Sequence, residues 1–290
     1  MPMMNAKEAS LSVKHRIMLV GPTGSGKTAQ LWTLPGKKFV YVFDPNTLPT
    51  IRGCDIDYEL FVPTLDEVDW SLKGFNKGSK SDKPKRRVEP TVYDDFCANF
   101  NEKYDDGFFE RYDWVGFDSV TFMHRACMDR TLYLNGRFGD VEDISDYRVV
   151  GSKLTDVFNS ITSLPCHIFA TGHTNVYTND KTKKVTTEIY LPGKARNIVP
   201  LMMSNVWFTK VEEVDGRLRY FVRTKPDPRG LVDIRCCFNN LEAEEDVTID
   251  SFSKLEPGKG GLGALLARAE AETERLNAPN QRGIEGRPRA

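Results

Sequence analysis

Apolar residues in the first part of the chain form short runs that are bounded by glycine, proline and aspartate. Runs of this length with such boundaries are typical of buried β-strands. They cover residues 15–20, 39–43, 58–62, 112–117 and 166–171. The intervening segments predict helices over residues 28–34, 93–104, 122–134 and 147–163. Because strands alternate with helices, we expect a parallel sheet that is covered by helices.

After residue 174 the pattern changes to antiparallel hairpins. Residues 175–190 predict one hairpin, and residues 205–213 with 217–224 predict a second around Asp215 and Gly216. We expect these hairpins to extend the sheet at one edge. The predicted fold class is therefore α/β, with a mostly parallel sheet covered by helices and antiparallel hairpins at one edge.

The chain divides into a main domain and three flanking or inserted segments. Residues 1–14 are polar and predict a flexible N-terminus, residues 15–235 the main domain, and residues 236–276 a C-terminal extension with a helix over 262–276. A surface insertion spans residues 73–90, and its first part, 73–87, carries seven basic residues and one acidic residue. Residues 277–290 predict a disordered tail.

Composition narrows the functional classes only slightly. The chain has 290 residues, 40% of them hydrophobic, and its 40 basic and 41 acidic residues give a net charge of −1. This balance of charges excludes a histone-like basic protein. It is compatible with a local basic patch that binds nucleic acid. No apolar run is long enough for a membrane span or a signal peptide. We expect a cytoplasmic protein without membrane contacts.

One motif carries most of the chemistry. Residues 21–28, here named the phosphate loop, match G-x-x-x-x-G-K-[ST] and lie between a predicted strand and a predicted helix, as the motif requires. Glycines let backbone N–H groups surround phosphates, and the following helix N-terminus favours anions. Lys27 would reach the β- and γ-phosphates, while the Thr28 hydroxyl would bind Mg²⁺. The phosphate loop consists of Gly21, Pro22, Thr23, Gly24, Ser25, Gly26, Lys27 and Thr28.

A second predicted strand ends in Asp118, which is the candidate to hold Mg²⁺ through water. Asp118 and Ser119 also suit the start of the helix that follows, and the two roles are compatible. The chain lacks the Asn-Lys-x-Asp sequence of guanine-specific domains. ATP is therefore favoured over GTP as the cofactor, together with Mg²⁺.

The order of these motifs resembles the RecA-like P-loop ATPases. More narrowly, it is similar to phage-encoded nucleotide-binding ATPases that are linked to single-strand annealing and recombination. The resemblance covers about residues 15–225, and it rests on the phosphate loop, Asp44 after the second strand, the Asp118-Ser119 pair and the strand that ends at Gly172-His173. It implies an oligomeric ATPase that acts on single-stranded DNA in the host cytoplasm, with a single-strand-binding protein as a possible partner.

The resemblance also implies roles for three residues at strand ends. His173 occupies the place of the polar residue that senses the γ-phosphate in such ATPases. RecA-like enzymes carry a catalytic glutamate two residues after an aspartate, but here the positions read Asp44-Pro45-Asn46. An amide cannot accept a proton as a carboxylate does. Either Asp44 takes over, or hydrolysis is slow, or ATP serves mainly as a switch.

Family members place basic residues of one subunit at the γ-phosphate of the next, which stabilises transition-state charge. The candidates are Lys194 and Arg196 after the first hairpin, with Arg223 and Lys225 at the end of the second. For DNA contacts, the candidates are the basic residues of 73–87 and 181–184, with Phe75 and Tyr177 as stacking residues. Each of these could equally be an ordinary solvated side chain.

Two other functions remain open. A nucleotide-gated interaction protein with little hydrolysis would explain Asn46. A P-loop small-molecule kinase would need a mobile lid bearing arginines, for which the region 125–148 is the candidate. The arginines of that region are Arg125, Arg130, Arg137 and Arg148.

Overall fold

The computed structural model describes residues 14–64, 89–178, 183, 185–191, 193, 195–226 and 234–277. Its strands belong to one nine-stranded sheet. They are β1 Arg16–Gly21, β2 Lys38–Val42, β3 Asp57–Leu60, β4 Trp114–Asp118, β5 His167–Thr178, β6 Val185–Ile189, β7 Asn205–Val214, β8 Arg217–Arg223 and β9 Glu244–Asp246.

Helices flank this sheet, and each predicted helix of the main domain has a counterpart. The α-helices are α1 Thr47–Ile51, α2 Val92–Asp105, α3 Val120–Leu134, α4 Ile144–Thr162, α5 Ala195–Met202 and α6 Gly261–Asn277. Short 3-10 helices are Thr28–Thr33, Phe108–Arg111 and Phe252–Lys254.

The strand order is β3-β2-β4-β5-β1-β7-β8-β9, and the pairings from β3 to β7 are all parallel. Only the β7–β8 and β8–β9 pairings at the end of this order are antiparallel. The mostly parallel, helix-covered sheet expected from the sequence is confirmed.

The first hairpin lies in a different place from the one expected. β5 is twelve residues long and runs past its neighbour β1, which ends where Gly21 pairs with His173. Residues Thr174 to Thr178 therefore have no parallel neighbour and pair with β6 instead. This hairpin projects from the middle of the sheet, whereas the second hairpin forms the antiparallel edge.

Alternate residues of the parallel strands are buried on opposite faces of the sheet. In β1, Met18 and Val20 contribute to the core beneath α2, α3 and α4, while Ile17 and Leu19 contribute to the core beneath α6. Because both faces are covered, the central strands are apolar throughout. This explains why they were recognisable as continuous apolar runs.

The C-terminal extension docks directly behind the phosphate loop. The segment after the loop is a 3-10 helix, and its side chains accept hydrogen bonds from the first turn of α6. Leu262 N donates to Gln30 Oε1 at 2.8 Å, and Gly263 N donates to Thr33 Oγ1 at 3.0 Å. Two N–H groups that a helix start leaves without helical partners are thereby satisfied.

The predicted domain boundaries stay a prediction. Residues 1–13, most of the 73–90 insertion and residues 278–290 lie outside the described residues.

Among the residues described, no helix is both long enough and apolar enough to cross a bilayer.

Two helical glycines provide a matched test of this docking. A Cβ at Gly263 would collide with the backbone carbonyl of Thr33, whereas one at Gly151 in α4 would meet only Ala195 N at 3.8 Å. Gly263→Ala should therefore lower the free energy of unfolding by about 1–3 kcal/mol through overpacking. Gly151→Ala should raise it by about 0.5–1 kcal/mol, because alanine favours a helix. Urea titrations compare the two; equal midpoints would contradict the docking.

Candidate nucleotide-binding site

The phosphate loop adopts a conformation that its glycines permit. Gly24 and Gly26 have φ angles of 79° and 80°, which other residues rarely adopt. A Cβ on Gly26 would also lie 2.8 Å from the ring of Tyr220. The loop therefore needs glycine at this position both for its backbone angle and for the space that Tyr220 leaves.

The Lys27 ammonium is folded into the phosphate loop. Its Nζ donates to Gly21 O at 3.0 Å and to Pro22 O at 2.7 Å, and the residue is buried. Burial lowers the pKa of Lys27 to about 8, although the charges of Asp118 and Asp44 oppose this shift. A buried cation held mainly by carbonyl oxygens suits an anionic ligand.

Three threonine hydroxyls surround the buried Asp118 carboxylate. Thr28 Oγ1 and Thr47 Oγ1 donate to Oδ2 at 2.9 and 2.6 Å, and Thr171 Oγ1 donates to Oδ1. The three donors come from the phosphate-loop side, from α1 and from β5. Thr47 and Thr171 were not identified from the sequence, because a single threonine near a strand end has no distinctive pattern.

Asp44 and Asn46 form a local pair beside the phosphate loop. Asp44 Oδ1 accepts hydrogen bonds from Asn46 N at 2.9 Å and from Asn46 Nδ2 at 3.0 Å. Both residues line the same cleft as Lys27 and Asp118. The Asn46 amide thus orients the Asp44 carboxylate and supplies no base of its own.

His173 lies where β5 passes β1, and it also lines the cleft. Its backbone N donates to Thr121 Oγ1 at 2.9 Å, and its Nδ1 is buried without a hydrogen-bond partner among the described residues. Burial, and next the Lys27 charge, lower the pKa of His173, while Asp44 and Asp118 oppose the shift. A neutral imidazole with an unsatisfied nitrogen can donate to, or accept from, a ligand in the cleft.

The cleft has a volume of about 300 Å³, and part of its lining is an apolar wall. Tyr220 from β8 forms part of this wall, and Ile249 and Phe252 complete it. Phe252 packs edge-on against Trp32 with ring centroids 5.4 Å apart. The sequence assigned these last residues to an extension outside the ATPase domain, so their presence in the cleft was missed.

The predicted trans-acting residues do not line this cleft. Arg196 bonds Glu188, and Arg223 Nη1 donates to Glu244 at 3.1 Å. Lys194 lies outside the described residues. Their proposed role at a neighbouring subunit stays a prediction.

The residues present fit Mg²⁺ and a nucleoside triphosphate. Thr28 would offer Mg²⁺ a hydroxyl oxygen, and Asp118 would hold the ion through water, which are the oxygen groups that Mg²⁺ prefers. The phosphate loop provides the anion cradle, and the apolar wall provides a surface for a base. This cleft lies at the carboxyl ends of parallel strands, the usual ligand position in open α/β sheets.

The lowered pKa of Lys27 predicts a pH dependence. Lys27 is an ammonium below about pH 8, so the nucleotide affinity should be at its maximum there. The affinity should fall as the pH rises above about 8. The loss should approach about tenfold per pH unit above that value. Fluorescent-nucleotide titrations measure it, and repeating them without Mg²⁺ controls for hydroxide binding to the metal. A constant affinity up to about pH 10 would contradict the assignment.

Comparison with known proteins gives a family and structural neighbours of low sequence identity. No curated protein matches this sequence. The flagellar accessory protein FlaH from Methanocaldococcus jannaschii is 12% identical, with 78% of this chain and 92% of that chain covered and a TM-score of 0.36. A KaiC-like protein from Pyrococcus horikoshii is 14% identical, with 71% and 76% covered and a TM-score of 0.36. The AAA domain model matches residues 13–231, and the chain therefore belongs to the AAA domain family.

Proposed function

We propose that this chain is a Mg²⁺-dependent ATPase that acts on single-stranded DNA in phage recombination, annealing or replication. The observation that carries the proposal is the meeting of Lys27, Thr28 and Asp118 in one cleft. The AAA domain family supports the nucleotide and ATPase part. The DNA part is supported by the resemblance of the motif order to phage annealing and recombination ATPases.

Each residue of the cleft has a role in this proposal. The loop N–H groups and Lys27 bind the phosphates, and Thr28 with Asp118 holds the cation. Bound Mg²⁺ would neutralise charge on the phosphate oxygens. His173 contacts the terminal phosphate and transmits its presence to β5 and α3, to which its backbone is attached.

Hydrolysis is expected to be slow. Asp44 and Asp118 are the carboxylates among the described residues that line the cleft, and Asp118 is engaged by three hydroxyls. Asp44 is therefore left to orient water. Its Oδ1 already accepts two hydrogen bonds from Asn46, which weakens it as a base.

Assembly would complete the site. Arg196 and Arg223 lie away from the cleft of their own chain, as a role at a neighbouring subunit requires. On this proposal the protein is a homo-oligomer on DNA, encoded by a phage and active in the host cytoplasm, with a single-strand-binding protein as a further partner.

The alternative that a specific observation favours is an ATP-gated interaction protein with little hydrolysis. That observation is the replacement of the expected glutamate by Asn46. The kinase alternative is less supported, because three of the four supposed lid arginines are held in ion pairs. Arg125 pairs with Glu142 at 2.9 Å and Arg137 with Asp146 at 2.6 Å, and neither lines the described cleft.

Replacing Lys27 tests the phosphate site. Lys27→Ala should abolish ATP binding, because it removes the cation that faces the phosphates. Lys37→Ala is the matched control, since Lys37 is exposed and outside the cleft. Isothermal titration with Mg-ATP measures both variants. Retained ATP affinity in Lys27→Ala would refute the site.

Restoring a carboxylate tests the reason for slow turnover. Asn46→Glu should raise ATP turnover at saturation by about 10- to 100-fold, because a glutamate can accept the proton of an attacking water. Asn46→Gln keeps the amide and is the control, expected to stay at the wild-type rate. If both variants turn over equally, position 46 does not limit hydrolysis.

A further inference from the structure

A second, larger groove lies beside the nucleotide cleft. It has a volume of about 750 Å³ and is bounded by the start of α3, the start of α4 and the segment that follows β6. We name it the second groove and define it by Phe122, His124, Tyr147 and Tyr190. None of the functions considered above uses these four residues.

Aromatic side chains in the second groove are unusually open to solvent. The exposed fractions are 38% for Phe122, 36% for Tyr147 and 51% for Tyr190, and Ile144 beside them is 76% exposed. Large apolar side chains that are grouped and exposed mark a binding surface rather than a part of the core. Flat rings in such a group suit a flat ligand.

His124 adds polar groups that have no partner. Both of its ring nitrogens are buried, and neither makes a hydrogen bond to any described residue. Burial, with a smaller contribution from Arg125, lowers the pKa of His124 to about 4, although Glu142 opposes the shift. The imidazole is therefore neutral at pH 7 and offers one donor and one acceptor. Buried polar groups without partners are costly, so a ligand that bonds them would be stabilised.

Charges in the second groove argue against a phosphate as the group bound inside it. Arg125 is balanced by Asp129 at 2.8 Å and by Glu142 at 2.9 Å, and Arg196, which also lines the groove, is paired with Glu188. The hairpin strands β5 and β6 contribute Asn175 and Ile189 to the groove, and Lys183 in the connection between these strands is exposed, while Lys181 and Lys184 lie outside the described residues. This arrangement suits a ligand with a neutral flat part and an anionic backbone.

His173, which lines the nucleotide cleft, contacts residues that line the second groove. The rings of Phe122 and His173 meet edge-on at 6.0 Å, and His173 N donates to Thr121 Oγ1. Tyr190 N donates to the carbonyl of His173 at 2.8 Å. A displacement of His173 by the terminal phosphate would therefore reach both sides of the groove.

We propose that the second groove binds an unstacked base of single-stranded nucleic acid, with Phe122 and Tyr190 stacking on the base and His124 bonding its edge. Single-stranded nucleic acids are bound in this way, by aromatic stacking with basic residues along the backbone. The proposal rests on the DNA-binding part of the proposed function but does not need hydrolysis. On this proposal, the contacts of His173 transmit the presence of ATP in the cleft to the DNA bound in the second groove.

The test is fluorescence anisotropy of a labelled oligothymidylate of about 30 nucleotides with the full chain, Mg²⁺ and a non-hydrolysable ATP analogue. Tyr190→Ala should weaken oligonucleotide binding by about 5- to 150-fold, the effect of losing one base–aromatic stack. Tyr190→Phe keeps the ring and should bind as the wild type does, which separates stacking from a folding defect. Tyr104→Ala, at an equally exposed tyrosine in α2 outside the groove, should have no effect.

His124 gives a second, independent readout. His124→Gln keeps one donor and one acceptor and should retain more oligonucleotide affinity than His124→Leu, which keeps neither. Without oligonucleotide, nucleotide affinity should be the same in the Tyr190 variants and the wild type, since the Tyr190 side chain does not line the cleft.

The outcomes separate this proposal from the one on which it rests. If the wild-type chain binds ATP but no oligonucleotide, the DNA part of the proposed function fails, and the second groove fails with it. If the wild type binds oligonucleotide and Tyr190→Ala binds equally well, the groove assignment alone is overturned. Weaker binding in Tyr190→Ala with rescue in Tyr190→Phe supports it.

Discussion

The site depends on one buried carboxylate and the hydroxyls that satisfy it. Asp118 is 2% exposed, and a charge buried to that extent costs several kcal/mol unless hydrogen bonds compensate. Thr28, Thr47 and Thr171 supply those bonds from separate segments. The requirement to satisfy Asp118 therefore brings the phosphate loop, α1 and β5 together at the end of β4.

The strand order places the segments around Asp118 so that they line one cleft. β2, β4, β5 and β1 are neighbours and parallel, so their carboxyl ends present Asp44, Asp118, His173 and the phosphate loop along one edge. Backbone bonds from Phe43 N and Asp44 N to Asp118 O fix two of these ends to each other. The second groove adjoins this edge of the sheet. β5 extends beyond its neighbours there and forms the first hairpin with β6.

The sequence predicted the parts of the site that have a local signature. The phosphate loop has its glycines and Lys27, and Asp118 follows an apolar run. Thr47 and Thr171 have no such signature, because their function arises only when strands distant in sequence become neighbours. The wall formed by Ile249 and Phe252 could not be predicted for the same reason. The position of the first hairpin could not be predicted either, because it depends on how far β5 extends beyond the end of β1.

The central claim is that Lys27, Thr28 and Asp118 form a site for Mg-ATP. It is tested most directly by a crystal structure of the chain with Mg²⁺ and a non-hydrolysable ATP analogue. The account predicts that Lys27 Nζ leaves the carbonyls of Gly21 and Pro22 for the phosphates, and that the Thr28 hydroxyl turns from Asp118 to the cation. A nucleotide bound elsewhere, or a Lys27 still held by those carbonyls, would contradict it.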